Sequence, residues 1–206
     1  MGITVRLSPS KLAYIDVALY PSTRVASMKL AIILSCIGIW LLGSLISGQH
    51  NQQPVRTVEN VDLRRYAGLW YEIAKIPNRF QRQCVAGTTA EYSLLEDQMI
   101  QVVNRCREAD GTEDSAKGVA KVENASTNAK LQVSFVRFLG RNWFWGDYWI
   151  IGLDEDYEWA IVGDPKRKYG WILARDSALV PSDLERCNTI LRKQGYDPNA
   201  FVPTKQ

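Results

Sequence analysis

The sequence predicts an all-β fold, an eight-stranded antiparallel up-and-down β-barrel with one C-terminal α-helix, preceded by a hydrophobic helix at the N-terminus. Eight short apolar or alternating segments follow one another from Leu69 onward, and most are joined by turns of hairpin length. No strand–helix–strand pattern of a parallel sheet occurs among them. One amphipathic stripe at helical spacing follows the last strand. Eight up-and-down strands can close into a barrel, which removes exposed sheet edges.

Length and charge distribution limit the class of protein. The chain has 206 residues, which suits one domain with some additional sequence. Its formal net charge of +3 lies in residues 1–49, which hold four basic residues and one acidic residue, whereas the rest of the chain holds 21 of each. Because that remainder is electrically balanced, we expect no nucleic-acid partner.

An uncharged apolar run of 17 residues covers positions 30–46, directly after Lys29. A secretory signal core is about 7–15 residues long, and a bilayer span needs roughly 20 apolar residues. The run lies between these lengths. Residues 28–48 are therefore predicted to be a signal peptide or a membrane anchor, with cleavage and retention both left open. In either case the chain enters an export route.

The boundaries of this segment divide the rest of the chain. Met28 resembles the natural start of a signal peptide, so we interpret residues 1–27 as a doubtful extension from a start codon assigned too early. Residues 49–56 are polar and contain a proline, which predicts a linker. The folded domain is then expected over residues 57–206. Cys36 lies inside the apolar run and is interpreted as a buried cysteine without a lipid anchor.

The eight strand segments alternate with turn signals such as Pro77-Asn78 and Asp110-Gly111. The predicted strands cover residues 69–76, 85–94, 99–107, 116–123, 131–138, 148–153, 158–162 and 169–175. A helix is predicted to start at Pro181 and to stop at Gly195. Phe201-Val202 is expected to return to the sheet as a short edge strand.

Three motifs stand along the domain in a fixed order. Gly68 and Trp70 open the first strand, Asp154 and Tyr157 frame an acidic turn between the sixth and seventh strands, and Arg175 ends the last strand. Together they resemble the G-x-W, D-x-x-Y and arginine signatures of the lipocalin family, and the closest resemblance is to its bacterial and apolipoprotein D-like members. The resemblance covers the chain from about Thr57 to the C-terminus.

The resemblance implies a calyx, which is a barrel closed at one end and open at the other. It further implies a lysophospholipid or fatty-acid-like ligand, no cofactor, and a cell-envelope location in the periplasm or at the outer membrane. Many bacterial members are lipoproteins, but this chain has no convincing lipid-attachment cysteine. Trp70 is large enough to plug the closed end, and the Arg175 guanidinium can lie against its indole.

Strand alternation fixes which side chains share the inner face with Trp70. Ile76 and Gly152 fall on this expected face, and small residues recur along it, which favours a hollow barrel over one filled by neighbouring aromatics. The inner residues expected to contact a ligand are Glu72, Ala74, Ala90, Tyr92, Val133, Phe135, Tyr148, Ile150 and Trp171. Phe80, in the long first loop, is expected to act as a lid over the open end.

Glu72 places a carboxylate on that inner face, where an unpaired charge would be costly. Three partners stay open for it: the Tyr148 hydroxyl, ordered water, or a polar group of the ligand. A satisfied network within the interior is an equally good interpretation.

Residues 140–149 pack five aromatic side chains into ten positions, and three of them, residues 143–145, are predicted to lie in a loop. Exposed aromatics of this kind can touch a membrane or grip a lipid tail, or they can form a small satellite core. We expect membrane contact through this loop or through the N-terminal segment, and homodimer formation is left open. Nearby arginines could bind a phosphate headgroup or remain solvated; they are Arg79, Arg82, Arg137 and Arg141.

Three of the four cysteines lie in the exported domain, which predicts one disulfide and one free thiol. Cys84 begins the second strand and Cys106 ends the third, so the hairpin between them predicts a Cys84–Cys106 bridge. Cys187 lies on the apolar face of the helix and is interpreted as a buried thiol, while a rival pairing would join it to a strand cysteine. Without a C-x-x-C motif or a histidine partner, no metal site is expected.

Catalytic signals are nearly absent from the sequence. The sole histidine, His50, lies in the linker, which excludes a histidine-assisted nucleophile or a histidine-ligated haem within the domain. The chain is therefore predicted not to be an enzyme, and the resemblance implies a lipid carrier. Two alternatives stay open: an enzyme on a lipocalin-like barrel, such as an isomerase or one using the thiol of Cys84 or Cys106, and an envelope interaction protein with a filled barrel.

Overall fold

The computed structural model describes residues 53–96 and 99–206. The extension at residues 1–27 and the hydrophobic segment at residues 28–48 lie outside these residues, as does the start of the expected linker. Within the described part of the chain, no helix has the length and apolarity needed to cross a bilayer.

Strands are the main regular structure of the described domain, and they form one closed antiparallel barrel with a small hairpin beside it. In chain order the strands are β1 (Gly68–Lys75), β2 (Ala86–Leu94), β3 (Ile100–Arg107), β4 (Glu113–Val122), β5 (Lys130–Ser134), β6 (Val136–Phe138), β7 (Arg141–Trp143), β8 (Gly146–Leu153), β9 (Trp159–Gly163), β10 (Gly170–Ala174) and β11 (Val202–Pro203). The barrel consists of β1–β5 and β8–β10, closed by the pairing of β10 with β1. The predicted eight-stranded barrel is confirmed.

Two α-helices flank the barrel. The short α1 (Leu63–Tyr66) precedes β1, and the Asp62 carboxylate caps it by accepting a hydrogen bond from the Arg64 backbone N–H. The longer α2 (Pro181–Lys193) lies outside the barrel, where Cys187 and Leu191 pack in an apolar cluster with outward residues of β8, β9 and β10. The sequence places the start of α2 correctly, because proline suits a first helical turn.

The up-and-down order gives the barrel two chemically different ends. We call "mouth" the end that carries the connections 76–85, 108–112, 135–145 and 164–169, and "floor" the end with residues 95–96, 99, 123–129 and 154–158. Residues 61–67, which include helix α1, lie at the floor, where Val61 and Tyr66 are buried in the same cluster as Trp70.

β-Bulges on β1 and β8 change which side chains face inward. The register shifts between Glu72 and Ala74 on β1, and between Ile150 and Gly152 on β8. Each bulge adds one residue and reverses the alternation beyond it. Ala74 and Ile76 therefore pack in the outer cluster beneath α2, and Gly152 lies against Ile161. The expectation that these three residues line the interior is not met.

The C-terminal residues complete the barrel wall near the mouth. Strand β11 pairs with the end of β1, as expected for a short edge strand, and the following residues lie between β1 and β2. There the Thr204 backbone N–H donates to Ile73 O at 2.9 Å, and Gly87 N–H donates to Lys205 O at 2.7 Å. This tail fills the gap that opens where β1 and β2 diverge.

Two further features refine the boundaries expected from sequence. Residues 53–56 pack against the domain, because Val55 is buried in the outer cluster and Arg56 is bonded to Gln194. The predicted fifth strand ends at Ser134, and residues 136–143 form the β6–β7 hairpin, where the sequence predicted strand followed by loop.

Cys84 and Cys106 form the predicted disulfide, with their Cα atoms 5.5 Å apart.

Candidate functional site

The floor of the barrel is built on Trp70. Its indole is fully buried, its Nε1 donates to Tyr66 O at 2.8 Å, and the guanidinium carbon of Arg175 lies 3.8 Å from its ring centroid. Gly68 precedes it with a φ of +97°, a conformation that favours glycine. The glycine, the indole and the guanidinium therefore have the structural roles that the motifs predict.

Arg175 ties the floor together through backbone carbonyls. Its Nη1 donates to Leu69 O at 2.8 Å and its Nη2 to Arg65 O at 2.6 Å, and Nε donates to Tyr157 O at 3.4 Å. Burial lowers the pKa of this guanidinium, with the nearby Tyr66 and Glu158 opposing the shift. An arginine side chain is suited to this position because its planar fork presents five donors.

The acidic turn anchors the segment that precedes α1. The Tyr157 hydroxyl accepts a hydrogen bond from Asp62 N–H at 2.9 Å, and the Arg65 guanidinium lies 4.1 Å from the Tyr157 ring centroid. Asp154 accepts from Asp156 N–H and so closes the turn. Asp154 and Tyr157 thus hold the floor shut, and Tyr157 packs against the cluster around Trp70.

Three buried tyrosines span the interior above this floor. The Tyr148 hydroxyl lies 2.8 Å from the hydroxyls of both Tyr66 and Tyr92. Burial raises the pKa of Tyr92 to about 12 and also raises the pKa values of the other two phenols, which therefore stay neutral at physiological pH. Tyr148 is consequently occupied by tyrosines and is not the partner of Glu72.

Glu72 lies in a polar network at the mouth end of β1. Its carboxylate accepts from Lys75 Nζ at 2.8 Å, Gln81 Nε2 at 2.6 Å and Thr204 Oγ1 at 2.6 Å. The Gln81 side-chain oxygen in turn accepts from Trp171 Nε1 at 3.0 Å. Of the options left open, the structure shows the satisfied network. The C-terminal tail supplies one partner, and the bulge on β1 places Lys75 beside the carboxylate.

Exposure along the inner face changes sharply from floor to mouth. Cross-strand pairing establishes which residues face inward on β3, β4, β5, β8 and β10. Toward the floor most of these residues are at most 4% exposed, namely Ile100, Val102, Ala120, Leu131, Ile150 and Leu173, while Val122 and Leu153 at the very end are partly buried. Toward the mouth they are half-buried or exposed, and they are Asn104, Ala116, Gly118, Val133, Gly146 and Trp171. Along these five strands the barrel is therefore packed in its lower part and open to solvent above, whereas on β1 the mouth-side Glu72 stays 3% exposed.

Small side chains leave space inside the barrel at its open end, and the ring of Phe135 occupies part of that space. Ala116, Gly118 and Gly146 contribute almost no side-chain volume there. Phe135 lies over Gly118, where an added Cβ would come within 2.6 Å of its ring, and it is 41% exposed. Phe135 thus forms one side of the opening.

The structure divides the expected ligand contacts into two levels. Ala90, Tyr92, Tyr148 and Ile150 belong to the packed cluster above the floor, whereas Glu72, Val133, Phe135 and Trp171 lie nearer the mouth. Phe80 lies at the rim, 58% exposed, with its ring centroid 5.8 Å from that of Tyr169. Sequence alternation could not find Lys75 at the inner face, because only the bulge turns it inward.

Neither a metal centre nor a reactive thiol is evident in the described residues. Across residues 53–96 and 99–206, no three histidine, cysteine or acidic side chains converge as metal ligands would. The disulfide removes the thiols of Cys84 and Cys106, and burial raises the pKa of Cys187 to about 12. The rival cysteine pairing and the thiol-dependent enzyme are both contradicted.

Comparisons with known proteins agree with this architecture. A family model for a lipocalin-like domain matches residues 61–206. The chain is 35% identical over 153 residues to the outer membrane lipoprotein Blc of Escherichia coli K12, covering 74% of this chain and 83% of that protein. It is 35% identical over 170 residues to mouse apolipoprotein D, covering 77% and 83%.

A solved structure shows the same fold at lower identity. Insecticyanin from the tobacco hornworm Manduca sexta superposes with a TM-score of 0.60 at 23% identity, covering 74% of this chain and 84% of that one.

Proposed function

The chain belongs to the lipocalin-like family, and from this premise we propose that its barrel binds one single-chain lipid, such as a lysophospholipid or fatty acid, and carries it within the cell envelope. The observation that carries this proposal is the inner face that is packed toward the floor and open, with small residues, toward the mouth. A shape of this kind can enclose an acyl chain while its polar head stays near water.

Apolar burial supplies the main driving force. Burying about ten methylene groups contributes about 8 kcal/mol, which is the free energy of a micromolar Kd before the entropic cost of association is subtracted. Polar contacts at the mouth must offset part of that cost. Lys75, Gln81 and Trp171 offer donors there, although their present hydrogen bonds serve Glu72 and one another.

The envelope location rests on two kinds of support. Relatives named as outer membrane lipoproteins include those of Escherichia coli and Vibrio cholerae. The apolar segment at residues 28–48 and the Cys84–Cys106 disulfide both suit an exported protein. Retention of that segment would tether the barrel to a membrane, and its cleavage would release it.

Neighbouring residues of β5 allow a matched test of this binding site. Val133 faces the interior opposite Gly146, whereas Gln132 faces outward opposite Asp147. A tryptophan at position 133 would occupy the open part of the barrel. We expect Val133→Trp to weaken binding of a dansyl-labelled fatty acid at least about tenfold, since displaced apolar contacts of a few methylenes suffice for that factor.

A tryptophan on the outer face of β5 provides the control for this binding test. Gln132→Trp adds the same side chain outside the barrel and should bind the labelled fatty acid like the parent protein. Lysophosphatidylethanolamine should displace the probe from both the parent and this control. Absence of saturable binding by the parent protein, or unchanged binding by a folded Val133→Trp variant, would contradict the proposal.

A further inference from the structure

The two ends of the barrel carry opposite charge. At the mouth, connections 76–85, 135–145 and 164–169 each carry a net charge of +2, and connection 108–112 carries −2, which leaves +4. At the floor, residues 95–96, 123–129 and 154–158 carry −1, −1 and −4, and residues 61–67 carry +1, which gives −5. A nearly neutral domain therefore has a basic mouth and an acidic floor, so it has a preferred orientation near an anionic surface.

Exposed apolar side chains are concentrated at the same end. Eight of the fourteen exposed large apolar side chains among the described residues lie in connections 76–85 and 135–145. Leu139 and Phe144 are each 83% exposed, more than any other of these side chains. An apolar cluster of this kind on a soluble domain indicates an interaction surface.

Leu139, in the turn of the β6–β7 hairpin, and Phe144, directly after the hairpin, have unusual backbone conformations. Leu139 and Phe144 have φ angles of +49° and +59°, in the left-handed region that large side chains rarely occupy. Neither side chain recovers the cost of this conformation by packing within the domain, because both are exposed. The turn of the hairpin, Leu139-Gly140, requires positive φ at both residues and usually takes Asn, Asp or Gly, so an exposed leucine there is unusual.

Basic groups accompany the apolar tip. Arg137 and Arg141 are exposed on the hairpin, and within the described residues neither forms an ion pair. The sequence from residue 124 to residue 146 contains no acidic side chain. Guanidinium groups beside exposed Leu and aromatic residues suit the boundary between lipid phosphates and acyl chains.

We propose that the mouth of the barrel docks on an anionic phospholipid surface, with Leu139 and Phe144 inserted at the lipid interface and Arg137 and Arg141 on lipid phosphates. This inference rests on the proposed lipid-carrier function and adds the route by which the barrel exchanges lipid with a membrane. The open end then faces the membrane, so a ligand passes between bilayer and barrel without its acyl chain crossing bulk water. A second copy of the chain is a poorer occupant, because two mouths of net charge +4 repel each other.

The test measures transfer of a bound dansyl-labelled fatty acid from the full chain to phospholipid vesicles. With phosphatidylcholine–phosphatidylglycerol vesicles, the transfer rate should rise with vesicle concentration and with phosphatidylglycerol content, and fall with added salt. In Leu139→Ser/Phe144→Ser, the rate should fall at least about tenfold, since burial of one large apolar side chain changes an equilibrium by that factor. In Arg137→Glu/Arg141→Glu, the dependence on phosphatidylglycerol should disappear.

Control variants distinguish a failure of membrane docking from a failure of the proposed carrier function. Val180→Ser/Leu95→Ser removes two exposed apolar side chains outside the mouth connections and should transfer ligand like the parent. Loss of fatty-acid binding by the parent would refute the carrier function itself. If both hairpin variants bind the fatty acid and transfer it at the parent rate, membrane docking is refuted and the carrier function stands. The same holds if a hairpin variant is a monomer where the parent is a dimer, as measured by sedimentation, and its transfer rate is unchanged.

Discussion

Trp70→Ala is expected to lower the free energy of unfolding by about 3–5 kcal/mol, measured by urea denaturation. The substitution empties the floor of the barrel, because the indole is fully buried and packs against Tyr66 at a centroid distance of 5.0 Å. It also removes the donor to Tyr66 O and the ring beneath the Arg175 guanidinium. That cation–π contact alone is worth about 0.5–2 kcal/mol.

A second tryptophan provides the control for this effect. Trp143 lies in the β6–β7 hairpin and is 48% exposed, so Trp143→Ala should change the free energy of unfolding by less than about 1 kcal/mol. An unchanged melting temperature in Trp70→Ala, or an equal loss in both variants, would show that Trp70 does not close the barrel.

Removal of the Cys84–Cys106 bridge is expected to cost about 3 kcal/mol. The bridge joins residues 22 positions apart, and a closed loop of this length restricts the unfolded chain by about that amount. It also fixes the start of β2 to the end of β3 at the mouth, where the C-terminal tail enters the barrel wall. The urea midpoint of the parent protein should therefore fall when reductant is added.

The double variant Cys84→Ala/Cys106→Ala is the reference for this measurement. It should unfold at the midpoint of the reduced parent, and reductant should not shift it further, since Cys187 is already a free buried thiol. A parent midpoint that is the same with and without reductant would contradict a stabilising bridge.

The barrel and its floor follow from sequence because both leave short motifs that can be recognised along the chain. Alternation and turn residues predict the eight strands, and the resemblance of Gly68, Trp70, Asp154, Tyr157 and Arg175 to the lipocalin signatures implies which end is closed. The disulfide is also accessible from sequence, because a hairpin brings its two cysteines together. Each feature leaves a signal in the sequence, although the floor joins residues as distant as Leu69 and Arg175.

The details of the inner face depend on features without a sequence signature. A β-bulge inserts one residue between ordinary neighbours, so alternation alone assigned Ala74 to the interior and left Lys75 outside it. The partners of Glu72 lie 3, 9 and 132 residues away, and the last of them is Thr204 in the C-terminal tail. Only the folded chain brings these groups together.

The central claim is that the barrel carries a lipid, and native mass spectrometry of the full chain purified from cells tests it most directly. The account predicts a bound species with the mass of one lysophospholipid or fatty acid per chain, which disappears after organic extraction and returns when the lipid is added back. A spectrum that shows only the mass of the chain before extraction, and no uptake of either lipid class afterwards, would contradict it.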